Sequence, residues 1–572
     1  MPHPSSSRGR YREIVVGLVL LAATTVATNT VAATPTGSAS PPLKAAKTTA
    51  PVGPLPFLHA TTGDVRGIFD DLGRQVIMRG VNLNSLADYY QANPAYRPTV
   101  PVTGTDWDTM AAQGFNSVRL LVSWSKLEPA PGVIDDDYLA EIHQAVADAA
   151  DRGLYTIIDM HQDAWGKFIA SPPGVTCGPG LSPAIGWDGA PQWATITDGA
   201  DTCKGSSRED SEAVRTAWDS FWADRDGIQT HLVQVWSRLA TEFAGDANVA
   251  GFDLLNEPGD GHPTTDTTAA MTSYYARTIT AIRQAEAASG AGGADHIVFF
   301  EYSVNGKAVP PTFTTDQNLV FAPHIYGGSI APLTVEQNWA YATSLANGYR
   351  TTIWSGEYGW FSDPAGNLPK VVTFGQLEDQ NLAGSAWWQW RQACGDPHSV
   401  GTPGGIPGDQ IHYQYNGCPG DVNGGVVPEW RTVLSRPYPR GLPGRITALT
   451  SNGADATLDA YGQVPADTGP AGRTFLLWIP DRGHGSPMVG GDSVAGISVR
   501  SVSGGFLATG TVCSTNYHVR VGPDAAAPPG VCSSVAPTPP DGSEGNVLPG
   551  GMVTAPGPGP AIAVEAIPSY TG

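Results

Sequence analysis

Short apolar runs alternate with amphipathic stretches between about residues 55 and 440. Helical periodicity is clearest in DYLAEIHQAVADAADRG and IQTHLVQVWSRLATEFAG. Eight runs have the composition of buried strands: QVIMRGVNL, FNSVRLLVSW, LYTIIDMHQ, VAGFDLLNE, HIVFFEYSV, LVFAPHIYG, TTIWSGEYG and GSAWWQWR. Eight strands alternating with helices predict an α/β fold, a (β/α)8 TIM barrel. The fifth-to-sixth connection is short, so the pattern does not fix a helix there. An open doubly wound sheet is the alternative, but no Gly-rich phosphate fingerprint follows any strand.

The pattern changes near Gly441, where helical periodicity fades and Gly, Pro and short apolar runs dominate. The stretch RPYPRGLPG marks this junction, and the sequence after it predicts an all-β module. The predicted organisation is a signal peptide over 1–33, a flexible Pro/Thr/Ser-rich leader over 34–54, the barrel domain over 55–440 and a smaller C-terminal β-sandwich domain over 441–572.

The N-terminus has the three parts of a secretory signal peptide. RGRYRE carries positive charge, IVVGLVLLAATTVAT is apolar, and VAA ends at Ala33 with small residues. An uncleaved membrane anchor is the other interpretation of this segment. The signal peptide predicts a secreted protein, and we expect it to be a monomer.

The charge and cysteine content narrow the function classes. A net charge of −21 without a Lys/Arg cluster argues against nucleic-acid binding, and 41% hydrophobic residues exclude general disorder. The six cysteines fit an oxidising compartment. Sequence alone allows many connectivities, and nearest-neighbour bridging is our expectation. That expectation pairs Cys177 with Cys203, Cys394 with Cys418, and Cys513 with Cys532.

Polar or aromatic residues follow nearly every predicted strand, where the active site of such a barrel lies. Buried polar groups cost free energy unless they are paired, so this recurrence is hard to explain by packing. The residues are Arg119 from strand two, His161, Gln162 and Asp163 from the end of strand three, Asn256 and Glu257 from strand four, His324 and Tyr326 from strand six, Glu357 and Tyr358 from strand seven, and Trp388, Trp390 and Arg391 from strand eight.

Glu257 and Glu357 form the candidate catalytic pair. They follow strands four and seven, which lie on opposite sides of the barrel mouth, so the two carboxyl groups can face each other across a substrate. Glycoside hydrolysis needs two such groups. A separation of about 5–5.5 Å implies a retaining mechanism, and about 6.5–9.5 Å an inverting one. Taken singly, each glutamate could equally be a solvated turn residue.

GFDLLNEP, with its Asn-Glu-Pro, and the glutamate in SGEYG resemble the retaining glycoside hydrolases of family 5, in clan A. The resemblance covers about residues 60 to 395. It implies these roles: Glu257 as acid/base, Glu357 as nucleophile, Asn256 on the sugar 2-hydroxyl, His324 and Tyr326 holding the nucleophile, Arg119 supporting it electrostatically, and Trp388 as the floor under the reacting sugar.

DMHQDAW, FAGDANVAGFDLLNEP and RPYPRGLPGRI are similar to endoglycoceramidases, which release ceramide from glycosphingolipids. This narrower resemblance implies that His161 and Asp163 bind the sugar next to ceramide. It implies a glycolipid partner, transient contact with a membrane or micelle surface, and no cofactor. For the acid step we expect Glu257 to be protonated at rest, with a raised pKa.

Several alternatives stay open. A family relative acting on galactosylceramide, a steryl glucoside or a polysaccharide (an endoglucanase or mannanase) would share these motifs, and a non-catalytic carbohydrate- or lipid-binding barrel is the alternative from another class. His161 and Asp163 could ligate a metal, but no third ligand lies nearby in sequence. No G-x-S-x-G elbow supports an esterase.

The insertion over 164–227 carries five tryptophans, Trp165, Trp187, Trp193, Trp218 and Trp222. It could form a ceramide groove, a sugar-stacking surface or a packed lid.

Overall fold

The computed structural model describes residues 54–91, 93–292, 295–360, 363–393, 395–398, 427–525 and 530–532. The predicted signal peptide and the leader up to residue 53 lie outside these ranges. So do Cys394 and Cys418, whose predicted pairing is therefore not described.

The strands and helices follow in chain order. The first strands are β1 (Leu58–Thr61), β2 (Gly67–Asp70), β3 (Arg74–Val76), β4 (Arg79–Leu83), β5 (Ser117–Ser123), β6 (Tyr155–His161), β7 (Ser182–Pro183), β8 (Cys203–Lys204), β9 (Val249–Asp253), β10 (Ile297–Phe300), β11 (Leu319–Phe321), β12 (Thr352–Tyr358) and β13 (Gly384–Trp387). The later strands are β14 (Tyr438–Pro443), β15 (Arg445–Asn452), β16 (Thr457–Gln463), β17 (Thr474–Pro480), β18 (Val489–Gly490), β19 (Val494–Val502), β20 (Gly505–Val512) and β21 (Asn516–Val521). The α-helices are α1 (Gly104–Ala112), α2 (Trp124–Leu127), α3 (Asp136–Ala150), α4 (Glu212–Trp222), α5 (Ile228–Glu242), α6 (Thr267–Ser289), α7 (Val335–Tyr349), α8 (Pro364–Asn381) and α9 (Pro428–Leu434).

Eight strands close into a barrel in the order β4-β5-β6-β9-β10-β11-β12-β13, and every pair in it is parallel. The predicted TIM barrel is therefore confirmed. Residues 301–318, all described, contain no helix, so the link from β10 to β11 is a loop. The predicted first strand is in fact two: Arg74–Val76 joins another sheet, and only Arg79–Leu83 lies in the barrel. Both pieces are mostly buried, so apolar content could not separate them.

The alternation of side chains along β5 and β6 places charged residues inside the barrel. Val118 and Leu120 face outward into the large core formed with the surrounding helices. Arg119, between them, points into the barrel because successive side chains of a strand face opposite ways. Below this charged layer an apolar layer fills the barrel, including Ile157, Phe299 and Trp354. The barrel thus has a dry floor beneath a polar upper half.

The strands outside the barrel form two further main sheets. One has seven strands in the order β1-β2-β3-β14-β17-β20-β19, and the other has four in the order β15-β16-β21-β18. Their apolar faces share one core that includes Leu442, Leu477 and Val519. Strands from before the barrel therefore complete a sheet made mostly of strands that follow it. The exact domain boundaries stay a prediction.

A buried ionic cluster joins the start of the C-terminal strands to helix α8. Arg436 contacts Glu378 and lies 2.5 Å from Asp379, which also pairs with Arg79 of β4 at 2.7 Å. Gly114 provides a second contact, because a Cβ there would lie 2.0 Å from Nε1 of Trp478. In the described part of the chain, no helix has the length and apolar character needed to span a bilayer.

Replacing Arg436 should destabilise the protein strongly. Arg436→Met leaves the buried carboxylates of Glu378 and Asp379 without their main cation, which costs about 3–5 kcal/mol of unfolding free energy. The matched control is Arg350→Met, because Arg350 pairs with Asp64 at 2.7 Å but is 62% exposed. The control should cost less than about 1 kcal/mol. Urea denaturation measures both, and equal losses would contradict the role of the cluster.

Candidate active site

The guanidinium of Arg119 lies fully buried at the centre of the upper barrel. It contacts six side chains: Glu357 Oε1 at 2.9 Å, Asp253 Oδ2 at 2.9 Å, Asp159 Oδ1 at 3.0 Å, Asn256 Oδ1 at 3.0 Å, Asn82 Oδ1 at 3.2 Å and Glu301 Oε1 at 3.3 Å. Burial raises the pKa of Asp253 to about 6, even though the charge of Arg119 opposes that shift.

The two predicted catalytic glutamates face each other across this site. Arg119 donates to Oε1 of Glu357, and the hydroxyl of Tyr326 donates to Oε2 at 2.9 Å. Nδ1 of His324 lies 2.8 Å from Glu257 Oε1 and 3.3 Å from Glu357 Oε2, so it bridges the pair. One carboxylate oxygen of each glutamate lies within 4.8 Å of the other. This spacing fits the separation of about 5–5.5 Å that retaining enzymes use.

The turn that carries Glu257 is held by Gln162, which follows β6. Strand β9 ends at Asp253, and Glu257 has a φ of 38°, in the left-handed region that side chains rarely adopt. The Nε2 group of Gln162 donates to the carbonyls of both Asn256 and Glu257 at 2.7 Å. In return, Nδ2 of Asn256 donates to the carbonyl of Gln162 at 2.9 Å. These bonds satisfy the turn backbone and aim Glu257 into the site.

The expectation that Glu257 has a raised pKa is wrong for this structure. Burial alone would raise the pKa of Glu257. The hydrogen bond and positive charge of His324, together with the charge of Arg208, outweigh burial and lower the pKa below its usual 4.5. His324 and Arg208 thus favour the ionised form of Glu257. Sequence could suggest burial but could not reveal these two cations.

His161, Asp163 and Trp388 lie together beside the glutamates. The ring of His161 stacks on that of Trp388, with centroids 5.6 Å apart, and its Nδ1 lies 2.7 Å from Asp159 Oδ2. Burial would lower the pKa of His161, but Asp159 and Asp163 raise it to about 10. Trp388 is nearly buried and clusters with Tyr326. The structure thus brings Arg119, His161, Asp163, Asn256, Glu257, His324, Tyr326, Glu357 and Trp388 together. Tyr358 instead stacks on Phe374 in the outer core, and Arg391 pairs with Asp106 at 2.7 Å.

Strand alternation misplaced one tryptophan. Trp390 was grouped with Trp388 among the active-site residues of strand eight, but it is buried in the outer core, where its Nε1 donates to Asp106 Oδ1 at 3.1 Å. Strand β13 ends at Trp387, so the period of two no longer holds at Trp390.

Two further residues in the site were not predicted. Glu301 directly follows β10 and lies 3.0 Å from Nε2 of His324. The strand-end rule would have found it if applied to the fifth strand as well. Arg208 lies in the insertion, and its Nη2 contacts Glu257 Oε2 at 2.7 Å and Asp163 Oδ1 at 2.6 Å. No strand-end or motif signal marks Arg208.

The insertion over 164–227 packs as a lid on the barrel. Four of its tryptophans, Trp165, Trp187, Trp218 and Trp222, are buried, and the fifth, Trp193, is partly buried against the same core. The Cys177–Cys203 disulfide lies within the insertion, and Cys513–Cys532 is present as predicted. Of the three interpretations, this packing favours the lid.

A metal site does not fit the catalytic residues. Among the described residues, Glu257, His324 and Glu357 are the one group with suitable donors and spacing. Burial alone would lower the pKa of His324, but the negative charges of Glu301 and Glu357 outweigh burial and raise that pKa well above the usual 6.5. Both ring nitrogens of His324 already face carboxylates, since Nδ1 lies 2.8 Å from Glu257 Oε1 and Nε2 lies 3.0 Å from Glu301 Oε1. An imidazole that donates from both nitrogens has no lone pair for a metal.

Glu301 should make folding stability depend on pH. Burial raises the pKa of Glu301 to about 8, above the unfolded value of 4.5, against the opposing charge of His324. Its stabilising contribution is complete below about pH 4.5 and is lost as pH rises through about 8. Glu301→Gln removes this titration. We expect the variant's unfolding free energy to fall less steeply over this range, by up to about 1.4 kcal/mol per pH unit.

Chemical denaturation of the wild type and Glu301→Gln at several pH values between 5 and about 8.5 tests this expectation. The control is Glu141→Gln, because Glu141 is 57% exposed. The control should keep the slope of the wild type. If the unfolding free energy of Glu301→Gln depends on pH as steeply as that of the wild type, the raised pKa of the buried Glu301 carboxyl would be contradicted.

Comparisons with known proteins agree with this geometry. The family model for cellulase (glycosyl hydrolase family 5) matches residues 70–393. Endoglycoceramidase I of Rhodococcus hoagii is 30% identical over 223 residues, which span 37% of this chain and 39% of that protein. Endoglycoceramidase of Cyanea nozakii is 24% identical over 230 residues, which span 36% and 42%. These matches thus span about two-fifths of the length of each curated relative.

Solved structures match over more of the chain. A crystal structure of endogalactoceramidase has a TM-score of 0.72 and 38% identity, covering 81% of this chain and 99% of that one. Endo-glycoceramidase II from Rhodococcus sp., captured as a lactosyl-enzyme intermediate, has a TM-score of 0.61 and 26% identity, covering 80% and 99%. The resemblance to endoglycoceramidases is confirmed, and the chain belongs to glycosyl hydrolase family 5.

Proposed function

We propose that this protein is a secreted, retaining endo-β-glycosidase that hydrolyses the bond between the glycan and ceramide of glycosphingolipids. The observation that carries the proposal is the close pair of Glu257 and Glu357, with carboxylate oxygens within 4.8 Å, in a family 5 barrel similar to endoglycoceramidases. We further propose that it acts as a monomer and touches membranes or micelles transiently to reach its substrate.

In the first step Glu357 attacks the anomeric carbon while Glu257 donates a proton to the departing ceramide oxygen. Arg119 and Tyr326 each hold one oxygen of Glu357, so its carboxylate is oriented before substrate binds. In the second step Glu257 takes a proton from water as the water oxygen attacks the glycosyl-enzyme. Retention of configuration follows from these two displacements.

The remaining predicted site residues fit sugar-binding roles. Trp388 offers a ring as a floor beneath the reacting sugar, and His161 is stacked against it. Asn256 is fixed beside Arg119 and Gln162, which suits a contact to the sugar 2-hydroxyl. Asp163, near both His161 and Arg208, can accept hydrogen bonds from sugar hydroxyls.

A galactosyl-ceramide bond is the second candidate substrate. The endogalactoceramidase structure is 38% identical to this chain, whereas the endo-glycoceramidase II structures are 25–26% identical. Both remain within one mechanism, because only the pocket around the sugar would differ. Polysaccharides are less favoured, since the insertion that carries Arg208 packs closely beside Glu257.

A substrate panel tests the proposed function. The purified protein is incubated with glucosyl-, lactosyl- and galactosylceramide, and in parallel with cellulose and mannan. We expect release of intact glycan and ceramide from at least one glycolipid, detected by mass spectrometry. Cleavage of polysaccharide alone would contradict the proposal.

Variants of the two glutamates separate an enzyme from a binding protein. Glu357→Gln should lose hydrolysis but keep glycolipid binding, because the nucleophile is absent while the pocket remains. The activity of Glu257→Gln on glycolipids should fall by about 10²–10⁴-fold. Its activity on aryl glycosides should fall less, because their leaving groups need little protonation. The exposed control Glu141→Gln should keep full activity. Full activity in Glu357→Gln would exclude this mechanism.

A further inference from the structure

Arg208 connects the insertion to the acid/base glutamate. A single nitrogen of its guanidinium lies 2.7 Å from Glu257 Oε2 and 2.6 Å from Asp163 Oδ1. The side chain is only 8% exposed, and its guanidinium carbon lies 4.9 Å above the ring centroid of Trp187. These contacts leave Arg208 little freedom, unlike an arginine in a surface ion pair.

The backbone around Arg208 is also fixed. The side chain of Ser207 accepts from the N–H of Glu209 at 3.2 Å, and Asp210 accepts from the N–H of Ser207 at 3.0 Å. Oε1 of Glu209 accepts from the N–H of Ala164 at 3.2 Å, which anchors this turn to the segment after β6. The insertion therefore delivers the charge of Arg208 to a defined position.

That position conflicts with the acid step. Glu257 must carry a proton that it gives to the leaving oxygen as the sugar–oxygen bond breaks and the bond to Glu357 forms. Water returns a proton to Glu257 when the glycosyl-enzyme is hydrolysed, so each cycle ends with Glu257 protonated. A cation 2.7 Å away favours the ionised form instead. Asp163, on the other side of Arg208, partly neutralises that cation.

We propose, on the basis of the proposed function, that Arg208 is a positioning residue of the acid step: it acts through Glu257, and together with Asp163 it fixes the pH range in which Glu257 carries its proton. The insertion thereby sets the pH dependence of an active site built otherwise by the barrel. The barrel residues alone would leave only His324 as the cation on Glu257.

Other groups face Glu257 and must be considered beside Arg208. They are His324, Asp163, Glu301, Glu357 and Glu209, with the phenols of Tyr302 and Tyr326. Arg208 and His324 are the two cations in this set, and both favour the ionised carboxylate. Of these two cations, only Arg208 belongs to the insertion and not to the barrel.

The test is the pH profile of kcat/KM on the glycolipid that the wild type cleaves. The basic limb reports the loss of the proton from the acid in the free enzyme. Arg208→Gln keeps hydrogen-bond donors but removes the charge, so we expect its basic limb to move up by about one pH unit or more. Arg208→Lys restores a charge and should return the limb toward the wild-type position. Asp163→Asn removes the opposing charge and should move the limb down.

The matched control is Arg215→Gln in the same insertion. Arg215 is 32% exposed and pairs with Asp210 and Glu212 at 3.4 Å. Among the described residues, no ion pair joins Arg215 to Glu257 or Glu357. Its loss changes the net charge equally, so its profile should match the wild type. Melting temperatures of all variants show which of them fold.

An active wild type and an unmoved basic limb in a folded Arg208→Gln would overturn this inference alone. If Arg208→Gln does not fold, Asp163→Asn decides: a downward shift supports the inference, and no shift or an upward shift overturns it. A wild type without activity on any glycoside would overturn the proposed function and this inference with it.

Discussion

The buried charge of Arg119 is the interaction on which the rest of the site depends. It lies inside the barrel above an apolar floor and holds Glu357, Asp253 and Asn256 at about hydrogen-bond distance. Removing it would leave several buried carboxylates uncompensated, which is costlier than losing any one contact. Burial still raises the pKa of Asp253 and of Glu301, although the charge of Arg119 opposes both shifts.

The contacts that hold the two proposed catalytic carboxylates have different origins. Glu357 is held by Arg119, which lies within β5, and by Tyr326, which lies in the loop after β11, so the barrel closure sets its geometry. Glu257 is held by His324 and Arg208, and the second belongs to the insertion. The proposed nucleophile is thus positioned by the barrel itself, whereas the proposed acid also contacts a residue of the insertion, which a TIM barrel does not require.

The lowered pKa of Glu257 shows why residue type and burial do not fix an acid's protonation state. Burial favours the neutral form, and an acid catalyst with a raised pKa is a reasonable expectation from sequence. Two cations within 3 Å reverse that balance. For the proposed first step Glu257 must carry a proton. Either substrate binding changes the charges around Glu257, or the reaction uses the small fraction of molecules in which Glu257 is protonated.

The sequence by itself determined the barrel and most of its site. Asn256 and Glu257 were located because they follow a strand at the carboxyl edge of the barrel, and Arg119 because side-chain alternation along its strand turns it inward. Only the tertiary structure decided that Arg208 reaches Glu257, that the insertion's tryptophans pack as a lid, that Trp390 leaves the site, and that residues 74–76 join another sheet. Loops have no periodicity, and contacts between distant segments depend on how the chain closes in space, which no local pattern encodes.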